Sequence, residues 1–150
     1  MPNSAVLLTG ATGFLGGHLL TVLAERGIKA SALVRDPDAG TPLPGNPTVV
    51  KGSPLAPPAA TAPGVAGVKT IIHTAAVVKH SQRVPDDLFA LNVDGTLNMV
   101  KLAKELGARM IFVSSSGTVG CFKHDDIAAD EDAPYAEALA VLPIEDQSRA

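Results

Sequence analysis

Two groups of residues in this sequence have the types and spacing to do chemistry: a glycine turn near the start and a later run of hydroxyls. Thr9-Gly10-Ala11-Thr12-Gly13-Phe14-Leu15-Gly16 joins an apolar run at 5–8 to an amphipathic run that begins at Phe14. Strand, glycine turn and helix in that order give the glycines a chemical meaning. Missing side chains let the backbone turn tightly and approach a pyrophosphate at the helix N-terminus, where unpaired N–H groups and the dipole favour an anion. The plain alternative is a loop that needs positive φ. After a second apolar run at 30–34 comes Arg35-Asp36-Pro37. An acidic side chain at that place hydrogen-bonds an adenosine ribose, whereas an arginine accommodates a 2′-phosphate. Arg35 comes first, and Asp36 reads as a turn-starting residue before Pro37; an ordinary exposed charge is the alternative for Arg35. The hydroxyl run is Ser114-Ser115-Ser116-Gly117-Thr118, placed after a further apolar run at 109–113. Ligands of open parallel sheets sit at the C-terminal ends of strands, so these hydroxyls would share an edge with the glycine turn. Triple serines also occur in plain loops.

The elements that must hold these groups follow from the periodicity. The run at 5–9 is continuously apolar, which suits a strand buried on both faces of a parallel sheet. Phe14, Leu15, Leu19, Leu20, Val22 and Leu23 recur at helical spacing up to Gly27, a helix stop. His18 falls within that helix as a surface or packing residue. Residues 30–34 form a second strand, 38–47 a surface loop, and 48–51 a short third strand. Pro57, Pro58 and Pro63 interrupt the place of the next helix, because each removes a donor and crowds the preceding turn; an irregular connection is expected. Residues 68–76 return to strand character and end in small side chains, with His73 expected as a buried, hydrogen-bonded ring at the strand end. Leu88, Leu91, Leu97, Val100, Leu102 and Leu106 mark one long helix over 86–107, closed by Gly107. Asn92 lies inside it, where asparagine is costly, so it has a polar task or faces solvent.

The 150 residues are 46% apolar with a net charge of -3 and no long uncharged apolar span, so a single soluble domain with a sizeable core is expected. Twelve basic against 15 acidic residues leave no footprint for nucleic acid. The N-terminus lacks the features of a signal peptide, and the expected location is cytoplasmic. Lone Cys121 has no internal disulfide partner, and the histidines at 18, 73, 80 and 124 lack ligand spacing, so no structural metal is expected.

The glycine turn, with glycines at 10, 13 and 16 and threonines at 9 and 12, resembles that of the short-chain dehydrogenase/reductase superfamily. Its form is similar to the extended branch of sugar epimerases, dehydratases and dihydroflavonol-reductase-like enzymes. The resemblance implies a Rossmann-type doubly wound parallel α/β sheet of about five strands in the order 3-2-1-4-5. It implies Thr9, Gly10, Thr12, Gly13, Phe14, Leu15 and Gly16 as the phosphate cradle. Leu33-Val34-Arg35-Asp36-Pro37 resembles the 2′-phosphate-binding version, which implies NADP, with NAD as the alternative. Gly52-Ser53-Pro54-Leu55 stands where the family usually has Gly-Asp-Leu, and Ser53 replaces the aspartate that touches adenine. His73-Thr74-Ala75-Ala76 resembles the segment whose small residues leave room for the cofactor, implying Ala75 and Ala76. Asn92-Val93-Asp94-Gly95-Thr96-Leu97-Asn98 resembles the family pattern whose first asparagine helps hold the active site. A gapless match of 109–112 puts Ser115 on the catalytic serine, with Ser116 as runner-up.

The resemblance covers about residues 4–137 and implies two regions, a dinucleotide-binding domain at 1–137 and an unlike tail at 138–150. The family chemistry uses a tyrosine whose pKa is lowered by a lysine four residues later. Tyr135 is the only tyrosine, Leu139 stands four residues on, and Tyr135 sits in an acidic-proline loop, so it is not assigned. Codon choices for Pro143-Ile144-Glu145-Asp146-Gln147-Ser148 permit a shifted frame reading Tyr-Arg-Arg-Ser-Lys. A frameshift before the catalytic helix is one expectation, a chain that is short in its own right the other, and the gene sequence decides between them. The function implied is NADP-dependent oxidoreduction of a carbonyl or secondary alcohol, catalytically incomplete in this form; a non-catalytic dinucleotide-binding or regulatory module is the alternative. Without a further strand beside the fifth, self-association through that edge or the long helix is expected.

Overall fold

A computed structural model describes residues 4–40, 42–78 and 86–115. The chain divides into two units, one of residues 1–79 and 84–113, the other of residues 80–83 and 114–150. Among the described residues only Ser114 and Ser115 belong to the second. Tyr135, Ser116, Cys121 and the tail at 138–150 lie outside the described residues.

The first unit is built on five parallel strands, β1 (Val6–Thr9), β2 (Ala30–Val34), β3 (Thr48–Lys51), β4 (Thr70–His73) and β5 (Arg109–Phe112), in the order β3-β2-β1-β4-β5. This is the expected doubly wound order, with β1 central: Leu7 pairs in register with Ser31 of β2 and with Ile71 of β4. All four residues of β1 are buried, as a strand covered on both faces requires. Its alternation feeds two cores. Leu7 joins Leu33, Val50, Ile71, Met99 and Leu102 on one face, while Leu8 joins Ala11, Leu20 and Ala32 on the other.

Helix α1 (Phe14–Glu25) covers the second face through Gly16, Leu20 and Leu23. Its buried stripe is narrower than its apolar content, for Phe14 is 86% exposed and Val22 40% exposed. Gly27, at φ +67, ends it: Gly27 N–H bonds the Ala24 carbonyl and Ile28 N–H that of Leu23. The first face is covered by α3 (Thr96–Leu106), which Gly107 closes in the left-handed region. One expectation is corrected here. The span 86–106 is not a uniform helix, because a π turn (Ala90–Gly95) separates α2 (Asp86–Phe89) from α3. The extra residue of a π turn rotates the following face by about 100°, and Asn92 lies in it.

Between β3 and β4 the chain makes turns rather than a helix, as the prolines dictate. Val65 and Val68 from this connection are fully buried in the α3-side core, where they substitute for a helix face. Burying each contributes about 1.5–3 kcal/mol. Asp36 accepts a hydrogen bond from Asp38 N–H at 3.1 Å and caps a single 3-10 turn (Pro37–Ala39), in line with its reading as a turn starter. Among the described residues β5 is the last strand of the sheet, and its Ile111 and Phe112 are 44% and 52% exposed.

Candidate functional site

The C-terminal ends of β1, β2 and β4 open into a cleft of about 220 Å³. Gly10, Thr12 and Gly13 line it from the β1 turn, Leu33, Val34 and Arg35 from β2, and Thr74, Ala75 and Ala76 from the end of β4. Gly52, Pro54 and Leu91 complete the wall. A second hollow of about 220 Å³ shares Thr12 and Val34 but is lined by Asp36, whose carboxylate disfavours a phosphate there.

The three glycines of the turn have separate physical duties. Gly10, at φ +69, has no room for a side chain: a Cβ would stand 2.6 Å from Thr74 Oγ1 and 2.9 Å from Ala75 N. Gly16 is buried where α1 crosses its own loop, and a Cβ there would run into the Gly10 carbonyl and Ala11 Cα. At Gly13, which lines the cleft, a Cβ would meet only the Gly10 carbonyl oxygen, at 3.2 Å. Gly13 is the N-cap of α1 and no side chain caps that end, so the first-turn N–H groups are open to an anion. A diphosphate fits this arrangement, held by the α1 N-terminus over a bare Gly13.

Of the residues singled out from the sequence, the cleft brings together Gly10, Thr12, Gly13, Arg35, Ala75 and Ala76. Phe14 and Leu15 occupy the exposed first turn of α1, and Gly16 packs beneath it. Thr9 is buried below the cleft, and Ser53 is turned to its own loop, where its hydroxyl accepts from Ala56 N–H at 3.2 Å. Asn92 stands behind the wall: it accepts from Val77 N–H at 2.8 Å and donates to Val77 carbonyl at 2.9 Å. The polar task left open for Asn92 is therefore a peptide-like clamp on the segment after β4. Pro54 and Leu91 carried no sequence signal as wall residues, since their places depend on how α3 packs against the β3 loop.

His73 ties these parts together. It is fully buried, as expected, and stacks on Phe112 with ring centroids 5.8 Å apart. Thr96 Oγ1 donates its only proton to the Asn92 carbonyl at 2.7 Å, so at 3.2 Å it accepts from His73 Nε2–H. Burial lowers the His73 pKa and keeps the ring neutral. Its Nδ1 is then the acceptor, and Thr9 Oγ1–H donates to it at 2.6 Å. The Thr9 oxygen in turn accepts the N–H groups of Thr74 and Ala75, each at 3.2 Å. The network thereby assigns the Nε2–H tautomer and joins β1, β4 and α3 under the cleft floor. Among the described residues no buried side-chain polar atom lacks a partner.

The model of the NAD dependent epimerase/dehydratase family matches residues 6–140. This chain belongs to that family. It is 35% identical over 139 residues to a 3-beta-hydroxysteroid dehydrogenase of Mycolicibacterium neoaurum, covering 87% of this chain and 37% of the relative. It is 38% identical over 114 residues to a ceramide reductase of Caulobacter vibrioides, covering 75% of this chain and 35% of that one. The crystal structure of gox2253 superposes with a TM-score of 0.74 at 34% identity, over 98% of this chain and 44% of that one. A short-chain dehydrogenase/reductase of Agrobacterium tumefaciens, solved with bound NAD, shares the fold at 24% identity and a TM-score of 0.69, over 87% of this chain and 38% of that one. The chain thus spans little more than a third of the length of these curated relatives, 37% and 35%. No helix among the described residues is long and apolar enough to cross a membrane.

The floor under the cleft has a pH signature. The folded pKa of His73 lies below its ordinary 6.5, so the unfolded state takes up a proton first as pH falls. The stability held by the neutral ring is present above that ordinary value and is lost as pH falls through the lowered one. Urea midpoints are expected to decline from about pH 7 to 5 more steeply in the wild type than in His73→Gln. Parallel declines in the two proteins would contradict this reading.

Proposed function

We propose that this chain is the cofactor half of an NADP-dependent oxidoreductase of the epimerase/dehydratase type, acting on a carbonyl or secondary alcohol. The observation that supports it most is Arg35, an exposed guanidinium at the end of β2 on the wall of the cleft that Gly13 leaves open. Such a group matches a 2′-phosphate in charge and hydrogen-bond geometry. The first-turn N–H groups of α1, from Phe14 to Gly16, hold the pyrophosphate. Thr12, Ala75 and Ala76 border the dinucleotide, and Ser53 keeps its O–H for the adenine end. Thr9 acts from below, fixing the Thr74-Ala75 backbone. A bound nicotinamide supplies hydride chemistry at such a site. Ser115, three residues beyond β5, hydrogen-bonds the substrate oxygen, and Asn92 positions the loop after β4. Related enzymes act on 3-beta-hydroxysteroids and ceramide-type substrates by name, which supports an alcohol or carbonyl as the reacting group.

Titration calorimetry with NADP and NAD tests the reading, with NADP expected to bind at least about tenfold more tightly. Equal affinities would remove the cofactor choice, and no saturable binding of either would remove the function. A second reading is a dinucleotide-binding module without catalysis, in keeping with a cleft wall of glycines, alanines, threonines and Arg35 that suits a cofactor. Turnover of any carbonyl compound with NADPH excludes it; tight binding without turnover supports it. Self-association through the β5 edge or the long helix belongs to the same proposal. A single monomeric peak at all concentrations in size exclusion would count against it.

A further inference from the structure

One face of the helical segment running from the π turn into α3 holds both walls of the cleft. On one side is the Asn92 clamp on Val77. On the other, Asn98 Nδ2 donates to the carbonyl oxygens of Pro54, at 3.2 Å, and Leu55, at 3.4 Å. Between them lies buried Gly95, where a Cβ would stand 3.0 Å from Pro54 Cβ and 3.5 Å from Leu91 Cδ1. The turn that Pro54 occupies closes on itself, Ser53 N–H to the Ala56 carbonyl at 3.2 Å and Ala56 N–H to the Ser53 carbonyl at 3.0 Å. Those bonds set its shape and not its place. Gly52 N–H on the Val34 carbonyl, at 2.9 Å, anchors its start; Asn98 and Gly95 anchor its tip.

Pro54 and Leu91 line the same cleft as Arg35. We propose that Asn98, backed by Gly95, is a positioning residue that sets this wall for the adenosine end of the dinucleotide, an inference that rests on the cofactor reading above. The assignment to that end follows from the sheet, since the Pro54 turn leaves β3 and Arg35 leaves its neighbour β2. Proline has no N–H of its own to tie down, so the grip must come through carbonyl groups, and only a donor such as the carboxamide NH₂ supplies it. An aspartate of the same size has no donor when ionised and would turn a carboxylate toward two carbonyl oxygens.

The test compares affinities of wild type, Asn98→Ala and Asn98→Asp for NADP and for adenosine 2′,5′-bisphosphate, which lacks the nicotinamide half. Asn98→Ala is expected to weaken both ligands by the same factor, about three- to tenfold, and Asn98→Asp by more. Leu20→Ala, in the core on the opposite face of the sheet, lowers the melting temperature and leaves both affinities unchanged where the protein is folded. That contrast separates placement of the wall from general loss of stability. If the wild type binds neither ligand, the cofactor reading fails and takes this inference with it. If the wild type binds both and the Asn98 variants stay within twofold, or only NADP weakens, this inference alone falls. Should Asn98→Asp not fold, Asn98→Ala and Gly95→Ala make the comparison, and unchanged affinity in both overturns it equally.

Discussion

Gly16→Ala is expected to destabilise the protein by about 3 kcal/mol, the upper part of the range for overpacking, and to abolish saturable NADP binding. The added methyl would meet the Gly10 carbonyl and Ala11 Cα, both backbone, so no side chain can swing aside to relieve the contact. Either α1 shifts along its axis or the glycine turn is pushed out of the cleft. The first loosens the contacts of Leu20 and Leu23 with the sheet, and the second moves the N–H groups that face the anion. Gly17→Ala is the control, one residue along the same helix. Nothing lies within 4 Å of the methyl it would add, and an alanine in a helix interior is favoured over glycine by about 0.5–1 kcal/mol. The two neighbouring substitutions should therefore move the urea midpoint in opposite directions. A Gly16→Ala protein as stable as the wild type, with unchanged affinity, would show that α1 does not rest on the turn.

Arg35→Ala carries the largest expected effect on binding alone. A charge-assisted hydrogen bond contributes about 1.5–3 kcal/mol, so loss of Arg35 should weaken NADP by roughly ten- to a hundredfold and leave NAD within about twofold. Because Arg35 is exposed, part of that effect is screened, and the difference should shrink as salt is raised. Arg35→Lys retains charge without the planar fork and should fall between the two. The folded state should be unaffected, for Arg35 lies outside both cores. Equal losses for NADP and NAD, or none for either, would move the selection of cofactor away from this side chain.

Much of the scaffold was legible because local rules and tertiary demand agree. The bounds of β2 and β3 coincide with their apolar runs, Gly27 and Gly107 stop their helices, and Asp36 opens its turn. The glycine turn belongs to the same class, since strand, turn and helix are adjacent in the chain. The family match over residues 6–140 confirms the lineage that those motifs implied. Elsewhere the readings required contacts between distant segments. The helix over 86–107 has an unbroken apolar pattern, yet residues 90–95 form a π turn. Its Asn92 bonds Val77 across 15 residues, a partner that periodicity does not contain. Strand β4 is shorter than its apolar run because Thr74 and Ala75 turn aside to bond Thr9.

What the sequence determined by itself was the order of strands and helices, the glycine turn at the end of β1 and the arginine at the end of β2. Each rests on side chains, or their absence, within a few residues of one another. Only the tertiary structure decided the state of His73, whose tautomer is set by Thr9 and Thr96, 64 and 23 residues away. Only it placed Pro54 and Leu91 in the cleft, and only it divided the three glycines into two that the fold needs and one left open to a ligand. A hydrogen bond or a van der Waals contact is specified by where both partners stand, and for pairs so far apart in the chain that is known only once the sheet has brought them together.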